Sequence, residues 1–156
     1  MKISVLSFFS GSGFLDLGFE DEGYSVDFVN DNHEPFLDAY QYSRNKMGID
    51  TPDCGYSTND IRDFFHIEQS KILSVLEHSR QRSDFVGFIG GPPCPDFSIG
   101  GKNRGRTGDK GQLSEAYIDL IVQHKPDFFL FENVKGLWRT KKHRQFYEEL
   151  KTKLHN

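Results

Sequence analysis

The chain has 156 residues, which is enough for one domain with its own hydrophobic core. No apolar run approaches the ~20 residues that a membrane-spanning helix needs, and Met1-Lys2 leads directly into strand-like sequence without a signal-peptide pattern. The two cysteines, Cys54 and Cys94, make neither a disulfide framework nor a paired metal-binding motif. We therefore expect a cytoplasmic protein that has no metal and no membrane association.

The first predicted unit is a strand, a glycine turn and a helix. Apolar residues from Ile3 to Phe9 form a β-rich run, which breaks at Ser10-Gly11-Ser12-Gly13 and continues from Phe14 with helical spacing. Backbone N–H groups at a helix start suit a ligand that approaches the main chain closely. Asp16 stands where the dinucleotide fingerprint has its third glycine, so that fingerprint fails. A Gly-x-Gly alone is often a plain turn, but its position after the first strand favours a cofactor cradle.

The second predicted strand, Ser25 to Val29, is followed by an acidic residue, Asp31, which lies 18 residues beyond Gly13. An acid at the end of the second strand usually holds a ribose hydroxyl pair in this architecture. The alternative is a helix cap, since Pro35 follows at a suitable first helical position. We favour ribose binding at Asp31, and we expect a helix from about Glu34 to Lys46.

The middle of the chain is less distinct. Residues 48–59 are predicted to be a loop, and whether a strand lies just before Asp60 stays open, because Tyr56-Ser57-Thr58 is a poor strand sequence. A helix follows, with an apolar face that includes Ile72 and Leu76. The apolar run from Phe85 to Ile89 then predicts a short buried strand.

That strand leads into Gly90-Gly91-Pro92-Pro93-Cys94. The prolines fix φ and remove backbone donors, so the turn that carries Cys94 is stiff. Open α/β sheets place their chemistry at the carboxyl ends of strands. A lone cysteine is usually a small buried apolar residue, but the glycines and prolines before it and the Gly/Arg-rich segment after it argue against burial. We therefore predict a reactive thiol at Cys94.

Charge is unevenly distributed along the chain. Residues 1–70 contain 4 Lys or Arg against 13 Asp or Glu, whereas residues 71–156 contain 15 against 10. A glycine-rich segment, residues 100–111, begins two residues after Ser98. Its four basic side chains are Lys102, Arg104, Arg106 and Lys110. Most basic clusters are only solvated surface, but this one adjoins the proposed reactive loop, so we expect a polyanionic substrate to be drawn to it.

The rest of the chain continues the alternation of helices and strands. Ser114-Glu115 can begin a helix that Pro126 ends, Asp127 to Phe131 predicts a fifth strand, and Arg144 to Leu154 predicts a final helix. This order favours an α/β fold with a doubly wound, mostly parallel sheet and helices on both faces.

Glu132 follows the fifth predicted strand directly. If the fourth and fifth strands are neighbours, Cys94 and Glu132 meet above the carboxyl edge of the sheet, with the cofactor turn on the other side. Burial of Glu132 would raise its pKa and let it give a proton to a substrate ring nitrogen. A thiolate, an acid and a nucleotide-like cofactor together favour covalent catalysis.

Three motifs of this chain resemble those of the DNA (cytosine-5) methyltransferases, in the same order and with similar spacing. They are Phe9-Ser10-Gly11-Ser12-Gly13, Gly91-Pro92-Pro93-Cys94 with Phe97-Ser98, and Glu132-Asn133-Val134. The resemblance covers residues 1–156. It implies a single Rossmann-like domain that binds S-adenosylmethionine, yields S-adenosylhomocysteine and acts on double-stranded DNA, in a bacterial restriction–modification system or a phage.

By the mechanism of that family, the Cys94 thiolate attacks carbon 6 of a flipped-out cytosine. Glu132 bonds ring nitrogen 3 and the exocyclic amine, which eases the attack. Carbon 5 then takes the methyl group from the sulfonium, and loss of its proton frees the thiol by β-elimination. Without the thiolate and the acid, carbon 5 of an aromatic pyrimidine is a poor nucleophile.

The resemblance also assigns the remaining site residues. The cofactor side comprises Phe9, Gly11, Ser12, Gly13, Phe14, Asp31, Asn32, Asp60, Ile61, Pro92 and Leu113. The substrate side comprises Ser98, Asn133, Lys102, Arg104 and Arg106, with Asn133 bracing the Cys94 loop. The chain departs from the family pattern at four positions that bear on affinity and fine geometry. These positions are Ser7, Phe14, Asn32 and Pro95.

The resemblance does not include the later strands, the target-recognition region or the terminal helix of the family. We therefore expect a fragment or one subunit of a split enzyme, with an apolar open edge at Phe128 to Phe131. Such a chain would need a complementing C-terminal chain and would not methylate DNA alone. Two alternatives stay open: the RNA-methylating branch with the same motifs, and a non-catalytic chain that binds cofactor or a partner subunit.

Overall fold

The computed structural model describes residues 1–93, 109–139 and 141–155, with the backbone only at residues 109, 110, 141 and 142. The strands are β1 Ile3–Phe8, β2 Ser25–Asn30, β3 Tyr56–Ser57, β4 Phe85–Gly90 and β5 Phe128–Phe131. The helices are α1 Phe14–Asp21, α2 Glu34–Met47, α3 Gln69–Arg82, α4 Asp109–His124, α5 Gly136–Arg139 and α6 Lys141–His155. A 3₁₀ helix spans Ile61–Phe65.

The five strands form one parallel sheet in the order β3-β2-β1-β4-β5. The chain moves outward from β1 to β3 and then returns to the other side of β1 with β4. In doubly wound sheets such a reversal is the point where ligands bind. β1 and β4 are in register at this point, and Phe8 pairs with Gly90. The predicted α/β class is confirmed, and the fourth and fifth strands are neighbours, which is the condition under which the sequence predicts that Cys94 lies near Glu132.

Two compact units can be distinguished. The first comprises Met1–Gly90 with Pro126–Leu130. Its core is built around phenylalanine, which accounts for much of the high phenylalanine content of the chain. The fully buried Phe8 ring lies 6.3 Å from that of Phe28, 6.1 Å from that of Phe64 and 5.1 Å from that of Phe88, centroid to centroid. Each buried ring contributes roughly 1.5–3 kcal/mol to the free energy of unfolding.

The second unit comprises Gly91–Lys125 with Phe131–Asn156. Within it, Lys153 of α6 donates to Glu115 at 3.0 Å and to Asp119 at 2.6 Å, both on α4. Phe146 and Leu150 of α6 are buried, as their helical spacing predicts. The two ion pairs of Lys153 therefore join α6 to α4, and the apolar stripe of α6 is buried.

Several element boundaries differ from the prediction. β1 ends at Phe8, because Phe9 adopts a left-handed conformation with a φ of 53°. α4 begins at Asp109, so residues 109–111 are helical although they were predicted to be loop. A single glycine disfavours a helix by about 1 kcal/mol, which the burial of the following residues on α4 outweighs.

The question left open by the sequence, whether a strand lies just before Asp60, is decided by β3, although its sequence is a poor strand former. Tyr56 pairs with Val29 and Ser57 pairs with Asn30 in β2. The N–H of Asp31 also donates to the Ser57 carbonyl at 3.1 Å. This short element forms because it pairs with a neighbouring strand, and local propensity does not predict that pairing.

Among the residues that the structure describes, no helix has both the length and the apolar character needed to cross a membrane.

Candidate active site

The turn after β1 contains three residues in the left-handed region within five positions. The φ angles are 53° at Phe9, 55° at Gly11 and 85° at Gly13. Glycine adopts this region without a steric penalty, whereas Phe9 is held there at a cost of about 1–3 kcal/mol. The N–H of Gly13 donates to the Ser10 carbonyl at 2.9 Å, which closes the turn. A strained, closely bonded turn of this kind favours a binding role.

The turn leaves space above it and leads into the N-terminus of a helix. A Cβ atom at Gly11 would meet no heavy atom within 4 Å. Gly13 is the N-cap of α1, and no side chain caps that end, so N–H groups of the first helical turn keep their donor capacity. Phe14 at the start of α1 is 86% exposed. The turn therefore has open space beside Gly11 and an uncapped helix start, and its role as a cofactor cradle stays a prediction.

Asp31 is buried and braces two segments at once. One carboxylate oxygen accepts the Gly11 N–H at 2.9 Å, and the other accepts the His33 N–H at 2.9 Å, just before α2. The two roles weighed from the sequence, ligand binding and support of the helix start, therefore meet at one side chain. Each oxygen keeps a second lone pair that a hydroxyl group could use. Ribose binding at Asp31 stays a prediction.

Asp60 is engaged by a side chain two residues away. Its Oδ1 accepts the backbone N–H and the Nε–H of Arg62 at 2.9 and 2.8 Å, and its Oδ2 accepts Nη2 at 2.6 Å. Asp60 thus caps the 3₁₀ helix, and the following Ile61 is 2% exposed. Asn32 is exposed. The predicted contacts of these three residues with adenine are compatible with this arrangement but do not follow from it.

In the second unit, Glu132 lies against the backbone of Gly91. Its Oε2 is 2.8 Å from the position that a Cβ atom would take at residue 91, so the carboxyl group packs directly over this glycine. Gly91 directly follows β4 and Glu132 directly follows β5. The side chain is exposed, because the residue lies beyond the strand end, where the sheet no longer covers it, so the burial considered for Glu132 from the sequence is absent.

Asn133 presents a donor beside that carboxyl group. Its Oδ1 accepts the Val134 N–H at 2.9 Å, while its Nδ2 is buried and has no hydrogen-bond partner among the residues that the structure describes. A buried unpaired donor is costly and often marks a place where a further partner binds. Two other predicted residues of this unit, Pro92 and Leu113, are buried, Leu113 on α4.

Five predicted site residues lie outside the described part of the chain. They are Cys94, Ser98, Lys102, Arg104 and Arg106. The other cysteine, Cys54, is half-buried, and its thiol pKa is raised by desolvation and by nearby Asp27 and Asp53. A raised pKa keeps a thiol protonated and poorly nucleophilic. Cys54 therefore lacks the environment of a catalytic thiolate.

Sequence reasoning missed one group of residues beneath the glycine turn: Glu20, Tyr40 and Arg44. Arg44 is 3% exposed and donates from Nη2 to the Gly13 carbonyl at 2.7 Å. In the sequence, these residues have the helical spacing of ordinary surface and core positions. Only the folded chain reveals their common location. No cluster of three or more metal-binding side chains occurs among the described residues.

The five-stranded parallel sheet, with the glycine turn after β1 at its switch point, defines an α/β fold of the Rossmann-like kind. Residues 3–156 match the family model of the C-5 cytosine-specific DNA methylases. The chain belongs to this family, which confirms the resemblance carried by its motifs.

Individual proteins similar to this chain support the family assignment. The chain is 54% identical over 154 residues to the type II methyltransferase M.NmeDI of Neisseria meningitidis serogroup C, a match that covers 98% of this chain and 37% of that protein. It is 35% identical over 137 residues to the type II methyltransferase M.MthTI of Methanothermobacter thermautotrophicus, covering 88% and 35%. It is also 34% identical over 149 residues to the DNA (cytosine-5-)-methyltransferase M.ApeKI of Aeropyrum pernix, covering 87% and 29%. The chain spans about a third of the length of these relatives.

Among solved structures, one similar chain is a DNA modification methyltransferase encoded within a prophage of E. coli. It superposes with a TM-score of 0.67 at 25% identity, and the match covers 99% of this chain and 38% of that chain. The backbone arrangement of the described residues is thus that of a DNA methyltransferase.

Proposed function

We propose that this chain carries the cofactor-binding and nucleophile-bearing part of an enzyme that methylates carbon 5 of cytosine in DNA. The main support is the pairing of Phe8 with Gly90 at the switch point of the sheet. The glycine turn leaves β1 at the first of these residues. The segment Gly91-Pro92-Pro93-Cys94 leaves β4 at the second. A cofactor turn and a nucleophile loop that begin side by side suit a reaction between two bound molecules.

The residues at the turn fit S-adenosylmethionine, whose sulfonium would supply an electrophilic methyl group. The free space above Gly11 admits a ligand close to the main chain. The N–H groups at the start of α1 would meet the polar end of the cofactor. Asp31 would accept hydrogen bonds from ribose hydroxyls through its remaining lone pairs, while Asp60 and Ile61 border the adenine.

The chemistry at the base requires a nucleophile and an acid. The Cys94 thiolate would add to carbon 6 of an extruded cytosine, and Glu132 would share its proton with ring nitrogen 3 as negative charge develops there. The resulting electron-rich carbon 5 takes the methyl group. Removal of the carbon 5 proton then expels the thiolate and restores the aromatic ring. The exposure of Glu132 leaves its carboxyl group accessible to a base.

The restriction–modification setting rests on the relatives, several of which are named type II methyltransferases. Their names also favour DNA over RNA as the substrate. Ser98 and the basic residues Lys102, Arg104 and Arg106 would contact the phosphate backbone. We expect Asn133 to support the Cys94 loop, because its buried Nδ2 needs an acceptor.

The test uses duplex DNA that contains 5-fluorocytosine in varied sequence contexts, since fluorine at carbon 5 blocks the final elimination. When S-adenosylmethionine is present and the chain is supplied together with the complementing C-terminal portion expected from the sequence, we expect a covalent protein–DNA adduct that survives denaturing electrophoresis. Cys94→Ser should abolish the adduct, and Glu132→Gln should slow its formation by roughly 10²–10⁴-fold, the usual contribution of a general acid.

Cys54→Ser is the matched control, because Cys54 is the only other cysteine. Its adduct yield should equal that of the unmodified protein. An undiminished adduct in Cys94→Ser would contradict the assignment of the nucleophile. Adduct formation with RNA in place of DNA would contradict the substrate.

A further inference from the structure

A buried ion pair lies directly beneath the glycine turn. The guanidinium of Arg44, on α2, lies 2.8 Å from Glu20 Oε2, on α1. The side chain of Arg44 is 4% exposed and that of Glu20 is 15% exposed. The Arg44 guanidinium also stacks on the ring of Tyr40, with its central carbon 4.3 Å from the ring centroid. Removing an arginine from water costs free energy unless its N–H groups are hydrogen-bonded or paired with a charge. The buried contacts of Arg44 therefore indicate a structural or functional role.

One of those contacts reaches the turn itself. Arg44 Nη2 donates to the Gly13 carbonyl at 2.7 Å, within the buried interior. The same carbonyl accepts the Leu17 N–H of α1 at 3.0 Å, so a helix bond and a charged donor hold it from two directions. A hydrogen bond from a charged donor is stronger than one between neutral groups. Arg44 thus determines where the last residue of the turn lies relative to α2.

The aromatic ring closes the same space. A Cβ atom at Gly13 would lie 2.5 Å from two carbons of the Tyr40 ring and 2.9 Å from Arg44 Nη2. Gly13 therefore needs to be glycine for two reasons, its φ of 85° and the close approach of α2. The turn therefore packs against α2 at Gly13, whereas the space next to Gly11 is open.

A second buried contact anchors the other side of the turn. Asp16, which is fully buried on α1, accepts the hydroxyl hydrogen of Ser7 on β1 at 2.7 Å. The turn between β1 and α1 is therefore spanned by one polar contact from strand to helix and by another from α2 to Gly13. None of these side chains reaches the open face where a ligand would lie.

We propose that Arg44 is a positioning residue for cofactor binding: it holds the Gly13 carbonyl from α2 and so keeps the turn of residues 9–13 in its binding conformation before the ligand arrives. This inference rests on the proposed cofactor site. A turn that is ordered in advance spares the ligand the entropy of ordering it. Loss of Arg44 should therefore weaken the affinity for the cofactor while it leaves the rest of the fold in place.

The test compares Arg44→Met with the unmodified protein by titration calorimetry with S-adenosylmethionine. Arg44→Met should raise Kd roughly tenfold, the lower range for losing a hydrogen bond from a charged group. Arg44→Lys retains a positive charge near Glu20 but loses the planar fork. It should raise Kd by less than Arg44→Met does, and it is the variant to measure if Arg44→Met does not fold.

Val75→Ala is the control for a general loss of stability, because Val75 is a buried residue of α3. It should lower Tm but leave Kd unchanged. An unchanged Kd in the folded Arg44 variants would overturn the proposal. A rise in Kd of equal size in Val75→Ala would overturn it as well.

A second measurement needs no cofactor. Amide hydrogen exchange at Gly13 and Leu17 in the free protein should be faster in Arg44→Met, relative to the amides of β1. If the unmodified protein does not bind S-adenosylmethionine, the proposed cofactor site is wrong, and this measurement still decides whether Arg44 orders the turn. If these two amides exchange at the same rate in Arg44→Met as in the unmodified protein, the positioning role is refuted.

Discussion

At the scale of single residues, Asp16 shows how one side chain can be misjudged from its letter. In the sequence it is only the residue that breaks a dinucleotide fingerprint. In the structure it is fully buried, and burial raises its pKa, although a hydrogen bond from Ser7 and the nearby Tyr40 and Arg44 lower it in part. A carboxyl group with a raised pKa in the folded state makes stability depend on pH.

The sign of that dependence can be predicted. Well below pH 3.8, the ordinary pKa of an aspartate, Asp16 is protonated in both the folded and the unfolded chain. As the pH rises above that value, the unfolded chain loses the proton first, so ionisation favours unfolding until the folded-state pKa is passed. Relative to Asp16→Asn, the unmodified protein should therefore lose stability as the pH rises above about 4, until the folded-state pKa of Asp16 is passed.

The measurement is the difference in the free energy of unfolding between the two proteins, from urea titrations at several pH values. Asp38→Asn, which removes an exposed carboxylate from α2, serves as the control for the loss of one negative charge. A difference between the unmodified protein and Asp16→Asn that is constant with pH would show that burial does not perturb this group.

Asp31 and Glu132 were singled out from the sequence because each follows a predicted strand. The structure places both at the carboxyl edge of the sheet, which is a consequence of their position in the chain. It also shows that Asp31 bonds the Gly11 N–H and that Glu132 covers Gly91. These partners are 20 and 41 residues away, and no local pattern contains them.

At the scale of secondary-structure elements, β4 and β5 pack through a glycine and an aromatic ring. The ring of Phe128 lies directly over Gly87, so closely that a Cβ atom at residue 87 would overlap it. The strands are further joined where the Val86 N–H donates to the Asp127 carboxylate at 2.8 Å and the Asp127 N–H donates to the Val86 carbonyl at 2.9 Å. The position of β5 beside β4 therefore depends on the absence of a side chain at residue 87.

Gly87→Ala should lower the free energy of unfolding by about 1–3 kcal/mol, because the added methyl group displaces the Phe128 ring from a closely packed site. Chemical denaturation measures the loss. In the double variant Gly87→Ala/Phe128→Leu, the two changes should be less destabilising together than the sum of each alone, since the overlap is then relieved.

Gly18→Ala is a matched control within α1, where the new methyl group would meet nothing within 4 Å. It should raise the free energy of unfolding by about 0.4–1 kcal/mol, because alanine restricts the unfolded chain more than glycine does. Equal effects of the two substitutions would show that the contact between Gly87 and Phe128 contributes nothing.

At the scale of the whole molecule, β5 lies at one end of the sheet order. Phe129, within this strand, is 43% exposed. An apolar strand at the end of a sheet can pair with a strand of another chain, and its apolar side chains favour that association. β5 is thus an edge strand of the sheet that the described residues form.

Phe129→Lys should reduce self-association, because a lysine on an edge strand opposes strand-to-strand pairing between molecules. Light scattering at increasing protein concentration measures the effect. Leu73→Lys, which replaces an exposed apolar residue on α3, is the control for added charge alone. Equal solubility of the two variants would argue that the β5 edge is not the site of association.

The sequence by itself determined the alternation of strands and helices, because apolar periodicity is a local property of the chain. It also determined which residues follow the carboxyl ends of the strands, and its three motifs identified the family. Only the tertiary structure decided that Tyr56 and Ser57 form a strand and that Glu132 lies against Gly91. It alone brought Arg44 beneath the glycine turn. These outcomes depend on backbone pairing and on contacts between residues far apart in the chain, which local propensity does not encode.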